Sequence, residues 1–543
     1  MGKIVVMSSG YFLSIFSGHD ASFTIANRQG VLEVVELERL YGIKHVGIHT
    51  HHNGIVDSVG HNHTWDLSLI SNYLKQNYNV TSVDHLFIDV DFFKFVTDED
   101  LNYHFKASVI TKYAHHHAHA ACAFFQSPFD EALIISADGG GSDGVFNIFV
   151  GKKGQPLKKI QTIDSDLGSV YMFFGQFMGD IKLETSLKGG SLIYPGKIMG
   201  LAPYGNVREE WVPLLVDFFK SNEKYRLEEP YFTKERIDQL SNDLGVPLDI
   251  YNRLKGQDQY DLAATVQYAF ERAFLFFTNM AMIRYLSLPI CLAGGCALNI
   301  TMNTKIVQDV GRQVFVPPNP NDSGLSLGIM LNHLKPQQFD ATYMGSRLYD
   351  IDTLPRYIRN ASYAVDKATP VNIVKDLIRG DIIGVARGRA ELGPRALGNR
   401  SIICNPQYPG MKDTINAKVK HREWYRPFAP IVRLEDVNRY FEWDKESRFM
   451  SFAPLVRKKY RDILPSITHI DGTARVQTVT REQNAFMYDL LTEMDKQTGI
   501  GVLLNTSFNV DSKPILSTVS EAFEVLNNTS MDGIVIEDYY IRK

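Results

Sequence analysis

The sequence predicts an α/β protein of two domains. Three observations lead there. Short β-branched strands alternate with helical stretches along the whole chain, glycine-rich turns sit at strand ends, and the pattern restarts after a polar, Pro-containing junction at 333–349. The 543 residues are 44% hydrophobic and 22% charged, a composition that supports large cores and excludes disordered, collagenous and coiled-coil classes. Lys+Arg 57 against Asp+Glu 61 leaves −4, so no bulk field draws nucleic acid or an anionic membrane. Cys122, Cys291, Cys296 and Cys404 are too few for a disulfide scaffold and form no CxxC pair, which points to a reducing cytoplasm. The greasiest stretch, 269–292, carries Glu271, Arg272 and Arg284 and reads as a buried or amphipathic helix rather than a membrane span.

Taken in order, residues 3–7, 21–26 and 31–37 read as strands, punctuated by Gly10, Gly18 and Gly30. A loop-rich stretch at 45–63 precedes a helix at 66–77 and a strand at 85–90. Residues 112–126 are strong helix formers, stopped by Ser127-Pro128. Strands at 132–137 and 145–150 flank a glycine turn, and 167–201, dense in glycine and aromatics, reads as irregular. A long helix at 261–285, a short strand at 289–292 and a helix at 296–308 follow. Past the junction come a helix at 371–379 and strands at 382–386, 428–432, 475–479 and 501–505, so the expected domains are 1–348 and 349–543. No internal repeat of 20–50 residues is visible.

The turn Asp138-Gly139-Gly140-Gly141-Ser142-Asp143-Gly144 contains a formal GxGxxG, but a strand follows where a dinucleotide fold requires a helix. What remains is a hairpin whose open N–H groups can cradle phosphate oxygens. A second turn, Ala293-Gly294-Gly295-Cys296-Ala297-Leu298-Asn299, lies between strand and helix, where an anion or nucleotide meets a helix N-terminus. A third, Asn319-Pro320-Asn321-Asp322-Ser323-Gly324, also opens onto a helix. No Walker A exists: 190–197 has the wrong spacing, and Ile198 stands where Ser or Thr is required. Gly139, Gly140, Gly141, Gly294, Gly295, Asn299 and Asp322 are the candidate nucleotide-binding residues. Three such turns resemble the actin/Hsp70/sugar-kinase (ASKHA) architecture, in which two lobes close on a nucleotide.

His115 and His119 stand at i and i+4, one above the other on a helix face, and so spaced they can chelate one divalent metal. Asp138 and Asp322 from the glycine turns can complete the set, and mixed nitrogen and oxygen ligation suits iron, manganese or zinc. A histidine-rich surface helix is the plain alternative. His45, His49, His51, His52, His61 and His63 share no regular face and read as a substrate-pocket loop.

Four N-terminal stretches, Gly18-His19-Asp20-Ala21-Ser22, the His-Ala-His helix, GKIMGLAPYG at 196–205 and LAGGCALNITMN at 292–303, resemble the O-carbamoyltransferase family of nodulation-factor and antibiotic biosynthesis. The blocks GRAELGPRALGNRS (388–401), KVKHREWYRPFAP (418–430), DGTARVQTV (471–479) and LLNTSFN (503–509) are similar to the same family, in its order, over nearly the whole chain. The resemblance implies a TsaD-like N-terminal domain, of the tRNA threonylcarbamoyl-transferase type, and a YrdC-like C-terminal domain. It implies that carbamoyl phosphate and ATP, with Mg as co-substrate ion, give carbamoyl-adenylate in the second domain. An acceptor hydroxyl would then take the carbamoyl group at the metal site of the first, with iron the first choice of metal.

The C-terminal blocks concentrate cations, as two phosphorylated anions in one site require. By motif match, Lys418, Lys420, Arg426, Arg475, Asn505 and Ser507 would hold carbamoyl phosphate, ATP phosphates and carbamate. Arg389, Glu391, Arg395 and Arg400 would organise the chamber. His19, with Asp20 beside it, is placed to deprotonate an alcohol, while Arg426 and Lys420 act in adenylate formation. Glu38, Arg39, Lys44 and His45 match the family without an assigned role. The expected acceptor is a small molecule (natural product, sugar or nucleoside) met by 46–63 and 167–194, where Tyr171, Phe173, Phe174 and Phe177 line a pocket or join the core. No membrane or nucleic acid partner is expected, and a homodimer is compatible with the chain. Two other readings stay open: threonylcarbamoyl-type transfer to tRNA or carbamoylation of a hydroxymethylated nucleotide or DNA base, and a catalytically inactive nucleotide-binding sensor or scaffold.

Overall fold

The computed structural model describes residues 10–49, 54–56, 62–64, 67–89, 97–183, 191–221, 232–359, 362–510 and 513–543. Tyr11–Phe16 is the centre of the first sheet. Ser22–Asn27 and then Gly30–Glu36 add antiparallel on one side, while His85–Asp89 and then Val109–Tyr113 add parallel on the other. The second sheet repeats this plan around Glu131–Ala137. Phe146–Lys152 and Lys158–Ile163 lie antiparallel on one side, Ile290–Ala293 and Val314–Phe315 parallel on the other. The chain therefore builds one five-stranded topology twice, the two-lobed arrangement the glycine turns suggest, although no sequence repeat betrays it. The central strands are buried on both faces, as their runs of Ile, Leu, Phe and Val require.

Ala364–Lys367 opens a third sheet of eight strands, in which Ile383–Ala386, Arg400–Cys404, Val502–Ser507 and Ala429–Arg433 occupy consecutive central positions. Pro370–Arg379 and Ala485–Thr498 cover it. One apolar core is continuous from the second lobe into this sheet, through Phe174, Phe270, Tyr425, Phe428 and Leu504. Tyr357 stacked on Phe523 packs the linker against the same region.

Several expectations are corrected. The strand expected at 3–7 lies outside the described residues, and the first described strand is Tyr11–Phe16. Lys112 and Tyr113 end a strand, and the helix begins only at His115. Within 167–201, Leu167–Phe173 and Tyr194–Leu201 are helices and Phe174–Phe177 a 3₁₀ turn, where irregular chain was expected. Tyr171, Phe173, Phe174 and Phe177 are core residues. Lys158–Ile163 is an unanticipated edge strand, its KKIQTI sequence polar because the strand is largely exposed. Three short strands, Gly47–His49, Gly54–Val56 and Asn62–Thr64, pair where a loop was expected. Asn299 caps Ile300–Val310, after a 3₁₀ turn at Gly295–Leu298. No helix among the described residues is long and apolar enough to cross a membrane, and all four cysteines are free and buried.

His115–Gln126 is buried all round rather than a surface helix, which removes the plain alternative for its histidines. It packs against Leu325–Leu334, whose Gly328 lies so close that a Cβ there would stand 2.0 Å from the Ala118 carbonyl oxygen. Three hydroxyls of the first sheet fasten the same helix: Ser14 donates to the Ser326 carbonyl at 2.6 Å, and Ser22 and Thr24 meet the Ser326 hydroxyl at 2.8 and 3.0 Å. Gly328→Ala is therefore expected to lower stability by about 1–3 kcal/mol in denaturant unfolding, by overpacking the helix pair.

Candidate functional site

The three glycine turns converge on the N-terminal end of His115–Gln126. Ser142 accepts from the His115 backbone N–H at 3.2 Å and Asp143 from that of His116 at 2.8 Å, so the first turn caps the helix that it faces. Gly141 is required there, because a Cβ would stand 2.8 Å from the His115 ring. Asp138 accepts from the N–H of Gly139 at 2.6 Å and of Gly295 at 2.5 Å, while Gly294 donates to the Pro320 carbonyl at 2.8 Å. The carboxylates of the first and third turns are thus fixed beside the helix.

The result is a four-donor set. The ligating atoms of His115, His119, Asp138 and Asp322 all lie within 4.8 Å of one another. His119 Nε2 stands 3.3 Å from Asp138 Oδ2 and 3.2 Å from Asp322 Oδ1, and His115 Nε2 stands 3.6 Å from Asp322 Oδ1. The two Nε2 atoms face each other at 3.2 Å. Four ligands on bonds of about 2.1 Å in a tetrahedron are spaced by about 3.4 Å, so these residues fit a divalent metal. Burial, then the neighbouring His119 and His116, push His115 well below its ordinary pKa. Burial opposes the charge of His119, but Asp138 and Asp322 outweigh it and hold that imidazole at about 9. Burial raises the Asp322 pKa, whereas at Asp138 burial is outweighed by His119 and then His115, which hold that carboxyl well below its ordinary range, so the set presents nitrogen and oxygen donors in a mostly buried cluster. His115 Nδ1 turns toward buried Asp89, 3.9 Å away at the end of its strand.

At the mouth, His19 Nε2 is 3.4 Å from Asp322 Oδ2 and its Nδ1 is 3.3 Å from Asp20 Oδ2, with 43% of its side chain exposed. Burial lowers its pKa, but Asp322 and then Asp20 reverse this and raise it. Asp20 also meets His45 Nδ1 at 2.7 Å, and Glu38 accepts from the His45 N–H at 3.3 Å.

The second constellation lies in the C-terminal sheet. Lys420 Nζ donates to the Ser507 carbonyl at 2.7 Å, the Ser507 hydroxyl at 3.1 Å, the Asn509 carbonyl at 2.8 Å and Asn509 Oδ1. Asn505 donates to Gln477 at 2.7 Å and to the Ala396 carbonyl at 3.0 Å. Four guanidinium groups gather nearby. Burial and then Arg426 lower Arg395 to about 10, and burial followed by Arg395, Arg422 and Arg426 pushes Arg475 well down. Arg475 Nε is buried without a hydrogen-bond partner among the described residues. Such crowded, partly dehydrated cations fit an oxyanion. A small pocket beside Arg395 is lined by Met450 and Ser451 and by Leu298, Pro318 and Pro320, residues next to the second and third glycine turns.

A model of the carbamoyltransferase N-terminus matches residues 71–331, and one of the carbamoyltransferase C-terminus matches 374–543. Nodulation protein NolNO of Sinorhizobium fredii is 31% identical over 574 residues, spanning 97% of this chain and 79% of that protein. The chain belongs to the carbamoyltransferase family. Nodulation protein NolO of Bradyrhizobium diazoefficiens is 32% identical over 451 residues, or 79% of this chain and 78% of that protein. Among solved structures, full-length HypF in the phosphate- and nucleotide-bound form aligns with a TM-score of 0.34 and 15% identity, over 60% of this chain and 46% of that one.

This carbamoyltransferase brings His19, Asp20, His115, His119, Asp138 and Asp322 together beside the helix pair, and Arg395, Arg426 and Arg475 together in the C-terminal half. Other expected residues take different places. Lys418 is exposed, with its carbonyl accepting from the Ser530 N–H. Arg389 donates to the carbonyls of Gly345 and Met344, each at 2.8 Å, and fully buried Arg400 donates to those of Arg387 and Gly388 at 2.9 and 3.0 Å. Glu391, also fully buried, accepts from the Leu397, Asn399 and Arg400 N–H groups and shapes the loop carrying Arg395. The Asn299 side chain is occupied by its helix cap and by Gln267 at 3.0 Å. Sequence reading missed Asp89, whose signal is its place at the end of a parallel strand shortly before His115, and Gln477, which carries none. Purified protein is expected to hold about one divalent metal per chain by elemental analysis, and H115A/H119A to lose it with the fold intact by circular dichroism.

Proposed function

We propose that the chain is an ATP-dependent O-carbamoyltransferase acting on a hydroxyl of a small molecule, with a TsaD-like transfer domain and a YrdC-like adenylate-forming domain. The observation that carries this reading is the pairing, in one chain of the carbamoyltransferase family, of a metal-type His/Asp set with a crowded, buried arginine cluster of oxyanion type. The match to the carbamoyltransferase N- and C-terminal models supports it.

At the cationic cluster, water hydrolyses carbamoyl phosphate to carbamate and phosphate, and a carbamate oxygen then displaces pyrophosphate from the α-phosphorus of ATP. Arg426 and Arg475 offset the charge gathered there, and the Lys420 ammonium orders the Ser507–Asn509 edge of the chamber. Carbamoyl-adenylate then passes to the lobe cleft. A divalent metal held by His115, His119, Asp138 and Asp322 (iron, with manganese or zinc as the other candidates) would polarise the adenylate and draw on the Asp322 charge that otherwise keeps His19 protonated. Neutral His19, oriented through Nδ1 by Asp20, accepts the acceptor hydroxyl proton at Nε2. The acceptor oxygen attacks the carbamoyl carbon, the bond to the phosphate oxygen breaks, and AMP leaves.

Arg426→Ala is expected to lower AMP and pyrophosphate formation from ATP and carbamoyl phosphate by at least about 100-fold. His19→Ala should leave adenylate formation within about threefold and stop transfer to an acceptor by about 10²–10⁴-fold. Chromatographic assay of nucleotides and carbamoylated product separates the steps. Loss of adenylate formation in folded His19→Ala would refute the division into two sites.

A further inference from the structure

Lys197 belongs to the N-terminal half yet reaches into the arginine cluster of the C-terminal half. It is 8% exposed at the side chain, and its Nζ stands 2.7 Å from Glu423 Oε1. The other oxygen of that carboxylate, Oε2, stands 3.6 Å from Arg426 Nη1. Burial works to raise the Glu423 pKa, but Lys197 and then Arg426 bring it below the ordinary value, so the carboxylate is ionised. The helix Tyr194–Leu201 that carries Lys197 is pressed against the cluster, with Gly200 leaving about the width of a Cβ contact to the Tyr425 ring at 3.4 Å. Tyr204, just beyond, meets Trp424 edge to face at 5.0 Å.

We propose that Lys197 is a positioning residue for phosphate binding: by neutralising Glu423 it leaves Arg426 free to engage the oxyanion. This rests on the reading of the arginine cluster as the carbamoyl phosphate and ATP site. The argument is one of competing charges. A half-buried carboxylate beside Arg426 is an internal rival to phosphate, and rivalry between fixed and bound anions is severe where water is scarce. A lysine at 2.7 Å satisfies that carboxylate first and turns the Glu423–Arg426 contact, already long at 3.6 Å, into a minor attraction. Arg395 and Arg475 lack an ion-pair partner among the described residues, so Glu423 is the acid through which the cluster can be discharged.

The test uses full-length protein and inorganic pyrophosphate as the probe, titrated by calorimetry, together with steady-state kinetics of AMP formation. Lys197→Met should weaken pyrophosphate binding about tenfold and raise KM for carbamoyl phosphate by the same factor, with kcat within about twofold. Glu423→Gln should bind pyrophosphate at least as tightly as wild type, K197M/E423Q should recover to within about threefold of it, and Lys197→Arg should behave as wild type. A lysine that merely clamps the two halves predicts the reverse for Glu423→Gln and no recovery in the double variant. Either of those results, or unchanged binding in Lys197→Met, overturns the proposal. Arg426→Ala separates it from the underlying reading: if that variant also binds pyrophosphate as wild type does, the cluster is not the phosphate site, whereas if it alone loses binding, only the role of Lys197 falls. Should Lys197→Met fail to fold, the Glu423→Gln titration decides by itself.

Discussion

Backbone-to-backbone contact between His115–Gln126 and Leu325–Leu334 is the constraint on which the site rests. At Gly328 the two helices approach more closely than any side chain would permit. Leu325–Leu334 begins directly after the turn carrying Asp322, and His115–Gln126 begins with the histidine pair, so closing one helix on the other sets Asp322 against both imidazoles. Asp138 joins from a strand end already paired with Ile290–Ala293. Each ligand is thus positioned by hydrogen-bonded secondary structure rather than by a free loop, which is what a preorganised metal site requires.

The near-neutral net charge conceals two opposite fields. Around the helix pair lie Asp20, Asp138 and Asp322, with Asp89 behind them; around the eight-stranded sheet lie Arg395, Arg422, Arg426 and Arg475. Both clusters are partly dehydrated, and His19, His45 and His119 face the acids while the guanidinium groups face one another. Pro318, Pro320 and Met450 pack beside Arg395 and give that cluster a largely apolar wall.

Much of this was legible in the sequence because the chemistry is written in residue types. Two histidines four apart and two acids in glycine turns specify a ligand set before any coordinates, and the Ile- and Val-rich central strands announce themselves. Tyr11–Phe16 was hidden because its Ser14 is polar for a tertiary reason, the bond to the Ser326 carbonyl. Lys158–Ile163 looks like a loop because an exposed edge strand may be as polar as one, and the helices within 167–201 were masked by glycines that break any period. The roles of Arg389 and Arg400 could not be told from those of Arg426 and Arg475 by type, since all four are arginines in matched motifs. Only the structure separates guanidinium groups that hold carbonyl oxygens from those left facing one another.

The continuous apolar core has an evolutionary corollary. Because Phe174 and Phe270 belong to the same packed cluster as Tyr425, Phe428 and Leu504, a gene split in the linker would hand each daughter polypeptide a large greasy face. Fission would be harmless only if both products were made together and re-associated at once. Selection therefore acts on the pair as one inherited unit, and the two halves are obliged to diverge in step.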